Sequence, residues 1–202
     1  MQPRSLDTPI FKTDALCAVE LSAVDIPALQ DFFEANPAYF IAVGGQPPGP
    51  NAAQEEFDDE LPAGWAFTKR WLIGIVDEAG AMIGMASIVS DLLVKNVWHI
   101  GLLVVATSLH GSGTASTIYD QLEVWMRGQG ARWLRLGVVE GNARAEHFWE
   151  KVGYIEVRKR FGVEMGARVN TLRVMAKPLA GGTLDEYLVL VTRDRPEANQ
   201  SL

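Results

Sequence analysis

The sequence predicts one α/β domain, a mixed, mostly antiparallel sheet of six or seven strands flanked by helices. Three observations predict it. A strongly apolar run over 98–106 leads through Leu109-His110-Gly111-Ser112-Gly113-Thr114-Ala115 into a helical pattern over 116–126, so the order is strand, glycine-bearing turn, helix. A second strand pattern, 133–139, follows that helix, and strand–helix–strand of this length can close as a right-handed parallel crossover. Upstream, the strand patterns 70–77, 81–94 and 97–106 are separated by Glu78-Ala79-Gly80 and Lys95-Asn96, which read as hairpin turns.

The remaining elements follow in order. Residues 1–14 carry Pro3 and Pro9 without periodicity and read as a loose N-terminal arm. Strand 16–21 opens the domain proper, 15–180. Asp25 can cap a helix that takes Pro27 in its first turn, with Ile26, Leu29, Phe32, Phe33 and Tyr39 on one face. Pro37 makes its end irregular, and the Gly/Pro-rich stretch 44–50 excludes regular structure. A short acidic helix is expected over 51–60, closed before Pro62-Ala63-Gly64. Helix 116–126 should end near Gly128 or Gly130. After strand 133–139 come a helix over 143–151 and an antiparallel pair, 154–160 and 171–177. Gly181-Gly182 sets off a C-terminal extension, 181–202, whose amphipathic stretch 184–191 suits a strand or helix at an edge.

Composition narrows the function classes. The 202 residues are 48% hydrophobic and 21% charged, as in an ordinary globular domain. No apolar run approaches the ~18 residues of a membrane helix, and MQPRSLDTPI has no apolar signal core. A cytoplasmic protein without a membrane role is expected. The lone Cys17 excludes an internal disulfide and reads as a strand core residue. A net charge of −7 argues against a nucleic-acid partner and is compatible with a cationic acceptor such as an amine. His99, His110 and His147 lack the spacing of a metal site.

The turn before helix 116–126 carries the most chemistry. Its N–H groups, from His110 through Gly111, Ser112, Gly113, Thr114 and Ala115, can converge where the helix dipole adds positive potential, and phosphate binds such a point without Lys or Arg. The glycines allow close approach. Further on, Asn142, Ala145, Phe148, Trp149, Val152, Gly153 and Tyr154 follow strand 133–139. Taken together, these segments resemble the GCN5-related N-acetyltransferase superfamily over roughly 70–179. His110-x-x-Gly113-x-Ala115 is similar to the family's Gln/Arg-x-x-Gly-x-Gly/Ala phosphate loop, with His110 where Arg or Gln is usual. The later segment is similar to Asn-x-x-Ala-x-x-φ-Tyr-x-x-φ-Gly-φ, with Trp149 in place of Tyr. His110 and Asn142 stand 32 positions apart, room for one helix and one strand.

The resemblance implies an acyl-CoA N-acyltransferase fold that moves acetyl from acetyl-CoA to a primary amine by direct attack in a ternary complex. It implies that the phosphate turn cradles the coenzyme pyrophosphate, that Asn142 and Trp149 stand on the coenzyme side, and that the strand before the loop is splayed from the next. The backbone of Leu103, Val104 and Val105 would then meet the pantetheine arm, and an N–H near Leu103 would hold the thioester oxyanion. A lysine-type amine, with a pKa of about 10.4, needs help to become neutral. His99, taken to share a sheet face with Leu103, is the first candidate base, and Glu140 the second. Trp149 cannot give up a proton as the family's Tyr does. The acceptor site is expected near the first helix, with Phe33 and Tyr39 as candidate lining, and the acidic stretch 55–60 could attract a cation. A homodimer is possible. A protein or peptide N-terminal acetyltransferase and a catalytically weak acyl-CoA-binding sensor stand as the alternatives.

Overall fold

The structure, a computed structural model, describes residues 9–196. Its elements run β1 (Phe11–Lys12), β2 (Leu16–Glu20), α1 (Ile26–Ala35), α2 (Ala38–Gly44), α3 (Ala52–Asp58), β3 (Lys69–Asp77), β4 (Met82–Ser90) and β5 (Val97–Val105). Then come α4 (Thr114–Gly128), β6 (Trp133–Val139), α5 (Ala143–Lys151), β7 (Ile155–Met165), β8 (Arg168–Pro178) and α6 (Leu184–Leu190). All eight strands form one sheet in the order β1-β2-β3-β4-β5-β6-β8-β7. Only the central pair, β5 and β6, is parallel; α4 makes the crossover between them. The mixed, mostly antiparallel class is as expected, with one strand more than the six or seven anticipated.

The extra strand is β1. Thr13 turns the chain, its amide donating to the Leu16 carbonyl (2.8 Å) and its hydroxyl accepting from the Leu16 amide (3.0 Å). Phe11 can then pair with Ala18 and become buried, so part of the expected loose arm is sheet. Residues 1–8 of that arm, and 197–202 of the tail, lie outside the described residues. β4 stops at Ser90, short of the expected 94. Asp91, Leu93 and Asn96 have φ of 53°, 68° and 67°, a left-handed backbone that no strand accommodates. The Asp91 carboxylate supports this turn by accepting from the Asn96 amide (2.6 Å) and the Thr68 hydroxyl (2.7 Å).

Strand alternation sorts the core into two layers. Ile73, Ile75, Ala86, Ile88, Ile100, Leu134, Leu136 and Val138 pack against Ile118, Tyr119 and Leu122 of α4 and Trp149 of α5. On the other face, Leu72 and Met85 meet Leu29, Phe32 and Phe33 of α1 and Ala52 and Ala53 of α3. Further along that face, Trp133, Val174 and Ala176 meet Tyr187 of α6. The predicted tail is therefore not set apart: Tyr187 is fully buried, and Thr183 and Glu186 cap its helix as a reciprocal box. The first helix, by contrast, breaks at Asn36-Pro37, so Tyr39 belongs to α2 and not to the face of α1. The β7–β8 hairpin is long enough for its tip to dock on α2. Arg168 and Asn170 donate to the Ala42 and Val43 carbonyls (3.0 Å each), and the Ala167 amide donates to that of Gly44 (2.9 Å). Gly44 and Gly166 touch there; a Cβ on Gly166 would lie 2.9 Å from the Gly44 carbonyl oxygen.

Candidate active site

A cavity opens where the central strands part. β5 and β6 pair only from Val97–Trp133 to Ile100–Leu136. Beyond Ile100 they diverge. The point of divergence is a bulge: Ile100 faces Ile88 and Leu102 faces Ser87, which leaves Gly101 as an extra residue on β5. One inserted residue reverses the side-chain alternation. Before it, Trp98 and Ile100 pack toward α4; after it, Leu103 and Val105 do, while Leu102 and Val104 pack toward α1. His99 and Leu103 are thus on opposite faces, not on the same one as their spacing suggests.

The bulge leaves the backbone of β5 well placed. The Ala106 amide donates to the Ile83 carbonyl (2.9 Å), which sets the phase of the antiparallel ladder. By alternation, the N–H and C=O groups of Leu103 and Val105 point away from β4 and into the opening. The Val105 carbonyl confirms this phase by accepting from Nε2 of His110 at 3.2 Å.

The phosphate turn follows. Residues 107–109 make a 3₁₀ turn, and Gly111 and Gly113 then take φ of 84° and 90°. A Cβ on either would meet nothing within 4 Å, so it is backbone conformation, not crowding, that calls for glycine there. Ser112 folds inward, its hydroxyl donating to the Leu109 carbonyl (2.7 Å) and sharing a hydrogen bond with Thr114 (2.8 Å). The amides of Gly111, Gly113, Ala115 and Ser116 find no partner among the described residues, and they gather at the N-terminus of α4. His110 is not a free imidazole. Its Nε2 donates to Val105, so Nδ1 is the acceptor, and the Arg144 guanidinium donates to it. Arg144, on the first turn of α5, thereby brings to the turn the fixed positive charge that His110 itself lacks. Sequence reading missed Arg144; its place two residues after Asn142 was the available signal.

The cavity measures about 220 Å³ and reaches both faces of the sheet. Asn142, Ala145 and Trp149 line the α5 side. Asn142 also caps α5, Oδ1 accepting from the Ala145 amide at 3.4 Å. Trp149 is buried between Tyr119 and Tyr154, with ring centroids 5.7 and 5.2 Å away. Burial drives the pKa of both tyrosine hydroxyls upward, and neither lines the cavity. Tyr39, Val43 and Trp65 line the opposite side, under the docked hairpin tip and its Met165. Burial, with the charge of Glu56, keeps Tyr39 a protonated hydroxyl. Phe33 does not belong to this site. It is 1% exposed in the α1 core, edge-on to Phe40 at 4.9 Å.

His99 lies at the apex, walled by protein but open to the cavity. Its Nδ1 is 3.1 Å from the Arg135 carbonyl oxygen, which only accepts, and 3.4 Å from Arg135 Nη1, which only donates; the shorter contact assigns the proton to Nδ1 and the lone pair to Nε2. Burial, reinforced by the Arg135 charge, pushes its pKa down to about 3. The expectation of a base titrating near neutrality is corrected accordingly. Glu140 does not reach the cavity lining: it is ion-paired with Lys159, on the α5 face of the sheet. Of the acidic stretch, Glu56 is not free to attract a cation, since Arg70 binds it at 2.6 Å.

Behind His99 is a buried polar cluster that sequence reading did not find. Arg135 is 3% exposed and forms a two-pronged pair with Asp194 (2.7 and 3.0 Å), which is 0% exposed. The Tyr187 hydroxyl donates to the same carboxylate at 2.6 Å. Burial raises the pKa of Asp194, but the hydrogen bonds and charge of Arg135 outweigh it and hold the group below its ordinary value. Arg158 and Arg160 of β7 stand on this face as well, Arg160 in the cavity wall.

A parallel strand pair that splays apart, with a glycine turn leading into the crossover helix between them, is the frame of an acyl-CoA N-acyltransferase fold. The chain belongs to the acetyltransferase (GNAT) family, whose sequence model matches residues 29–154, and it is an acetyltransferase by that membership. No curated protein matches the sequence significantly. Among solved structures, an acetyltransferase from Thermus thermophilus is similar at a TM-score of 0.64 and 18% identity, over 85% of this chain and 100% of its own. A spermidine N-acetyltransferase from Vibrio cholerae, in complex with CoA and spermine, gives 0.62 and 14% over 81% and 95%. The ribosomal-protein-S18-alanine N-acetyltransferase from Escherichia coli gives 0.58 and 16% over 83% and 96%. At these identities the likeness is one of fold. Among the described residues no helix is long and apolar enough to cross a membrane.

Proposed function

We propose that the chain moves acetyl from acetyl-CoA to the amine of a small molecule by direct attack in a ternary complex. The observation that carries this reading is the cavity in the β5–β6 opening, which runs from Asn142, Ala145 and Trp149 on the α5 side to a chamber walled by Tyr39, Val43 and Trp65 on the other. The unpaired amides of Gly111, Gly113 and Ala115 would hold the pyrophosphate, with Arg144 fixed beside them by His110. Ser112 and Thr114 shape the turn. The pantetheine arm would run along the Leu103–Val105 edge, with Val104 turned to the α1 core and Asn142 and Trp149 on the far wall. The Leu103 N–H would hold the oxyanion as the tetrahedral centre forms.

His99 then acts as an acceptor, not as a titrating base. Its Nε2 lone pair can accept an amine N–H and so turn the nitrogen's own lone pair toward the thioester carbon. The amine becomes neutral in the chamber itself, because desolvation and nearby guanidinium groups both disfavour an ammonium ion. As the C–N bond forms, the nitrogen acidifies and its proton passes to solvent; the C–S bond breaks and CoA leaves as thiolate. With a thiol pKa of about 8.5, departure needs no acid, which suits a site with Trp149 where a tyrosine would stand.

A cavity of only about 220 Å³ over both faces, the coenzyme side included, favours a small amine over a peptide N-terminus. The test is CoA release across amine classes, beside calorimetry with acetyl-CoA. Saturable acetylation of a small amine is expected. Tight acetyl-CoA binding without turnover of any amine would make the chain an acyl-CoA sensor instead.

A further inference from the structure

The acceptor face carries an imbalance of charge that the fold does not explain. Arg135, Arg158, Arg160 and Arg193 gather around a single carboxylate, Asp194. That carboxylate is already used. Arg135 occupies both oxygens and Tyr187 one of them again. Arg158 is 7% exposed at its side chain, reaches no closer than 4.0 Å to Asp194, and its buried Nε makes no hydrogen bond. Arg193 is spent on Trp65, its guanidinium 4.4 Å from the ring centre. The side chain of Arg160 is half-buried, makes no hydrogen bond or ion pair among the described residues, and lines the cavity.

The opposite face of the same strands shows what a balanced arrangement looks like. There Arg173 alone meets Glu146 (3.1 Å), Glu150 (2.9 Å) and Glu156 (2.5 Å), and Lys159 meets Glu140. A cation withdrawn from water without a partner is costly, and an anion delivered to it recovers that cost. Among the described residues no carboxylate lines the cavity to do so.

We propose that the acceptor amine carries a carboxylate of its own, as a free amino acid does, and that Arg160 receives it while His99 faces the amine. This deepens the transfer reading above and rests on it. Arg160 offers a planar fork that matches a carboxylate in two-pronged geometry. Arg158 and Arg135 add field from behind, and Asp194 keeps Arg135 in place. The same field repels a polycation, so the chain's net charge of −7 misleads about its acceptor. Arg160 is a specificity group and takes no part in bond making.

The experiment compares matched pairs. CoA release is measured for the common free amino acids and for the corresponding carboxamides, with spermidine as the polycation. For the best amino acid, kcat/KM should exceed that of its amide by about a hundredfold or more, consistent with a charged, two-pronged pair. In Arg160→Gln this ratio should fall below about tenfold through a raised KM for the acid; Arg160→Lys, which keeps the charge, should recover part of it. Equal rates for acids and amides, or a preference for spermidine, would overturn the proposal while leaving acetyl transfer intact. Absence of turnover with every amine would overturn the transfer reading. The carboxylate site is then read by thermal shift in the presence of CoA: stabilisation by acids but not amides supports it, and no difference overturns it.

Discussion

The coenzyme half and the acceptor half of the cavity are built from different materials. The coenzyme half is backbone: the Leu103–Val105 edge freed by a bulge, and a turn whose two glycines adopt φ near 90°. Its backbone parts lie within about a dozen residues of chain, and α5 with its cap adds Asn142, Arg144 and Trp149. The acceptor half is side chain, assembled from distant segments: Tyr39 on α2, Trp65 before β3, Arg135 on β6, Arg160 on β7 and Asp194 beyond α6. Backbone chemistry is indifferent to sequence and serves one invariant ligand group. Side-chain chemistry is what can differ from one acceptor to another. The difference predicts that substitutions in the acceptor half disturb stability and specificity, and that those around the turn act on coenzyme affinity through conformation.

The largest effect is expected at Asp194. Replacing it by Asn leaves Arg135 buried without its counter-charge, and losing one partner of such a pair costs about 3–5 kcal/mol. Urea unfolding at neutral pH measures it. Because the Asp194 pKa is held below its unfolded value, the wild-type advantage is complete above the ordinary carboxylate range and shrinks as pH falls through it. An Asp194→Asn protein as stable as wild type would break the distinction between the halves. Tyr187→Phe should cost less, about 1.5–3 kcal/mol, the worth of a hydrogen bond to a charged group. The same unfolding curves decide it, and a neutral result would make Tyr187 a packing residue only.

His99 sharpens the comparison through pH. Its folded pKa, about 3, lies below the unfolded value, so between the two the unfolded state binds more protons and stability rises with pH. His99→Gln should remove up to about 1.4 kcal/mol per pH unit of that slope between pH 4 and 6. In activity, the acidic limb of kcat/KM should stay where it is in His99→Gln, with a rate loss of about tenfold, roughly one hydrogen bond. A limb that moved with the substitution would restore His99 as a titrating base.

The same division explains what could be read from sequence. Turn 110–115, strand 133–139 and helix 143–151 rest on local glycine positions and periodicity, and the structure places β6 at Trp133–Val139 and α5 at Ala143–Lys151. The Gly101 bulge was not legible, because one inserted residue leaves the apolar run unbroken while reversing its faces. Phe33 fits the periodicity of a lining residue as well as that of a core residue; only the packing of α1 on β3 and β4 decides between them. The Arg135–Asp194 pair spans 59 positions and joins an apolar strand to a tail that reads as an appendage. No local pattern announces such a pair, and none within 154–160 announces that Arg158 and Arg160 stand beside it.

The most direct test of the division is a calorimetric titration of acetyl-CoA into two variants beside wild type. Gly113→Asp keeps the turn sterically open but sets a carboxylate and a strained left-handed residue where the phosphates should lie. The double variant His110→Ala, Arg144→Ala strips the nearby side chains and leaves the backbone alone. The account predicts a loss of more than about a hundredfold in affinity for Gly113→Asp and less than about tenfold for the double variant, since one exposed charge contributes about 1 kcal/mol. A folded Gly113→Asp protein that binds as wild type does, or a double variant that fails to bind, would contradict a coenzyme half made of backbone.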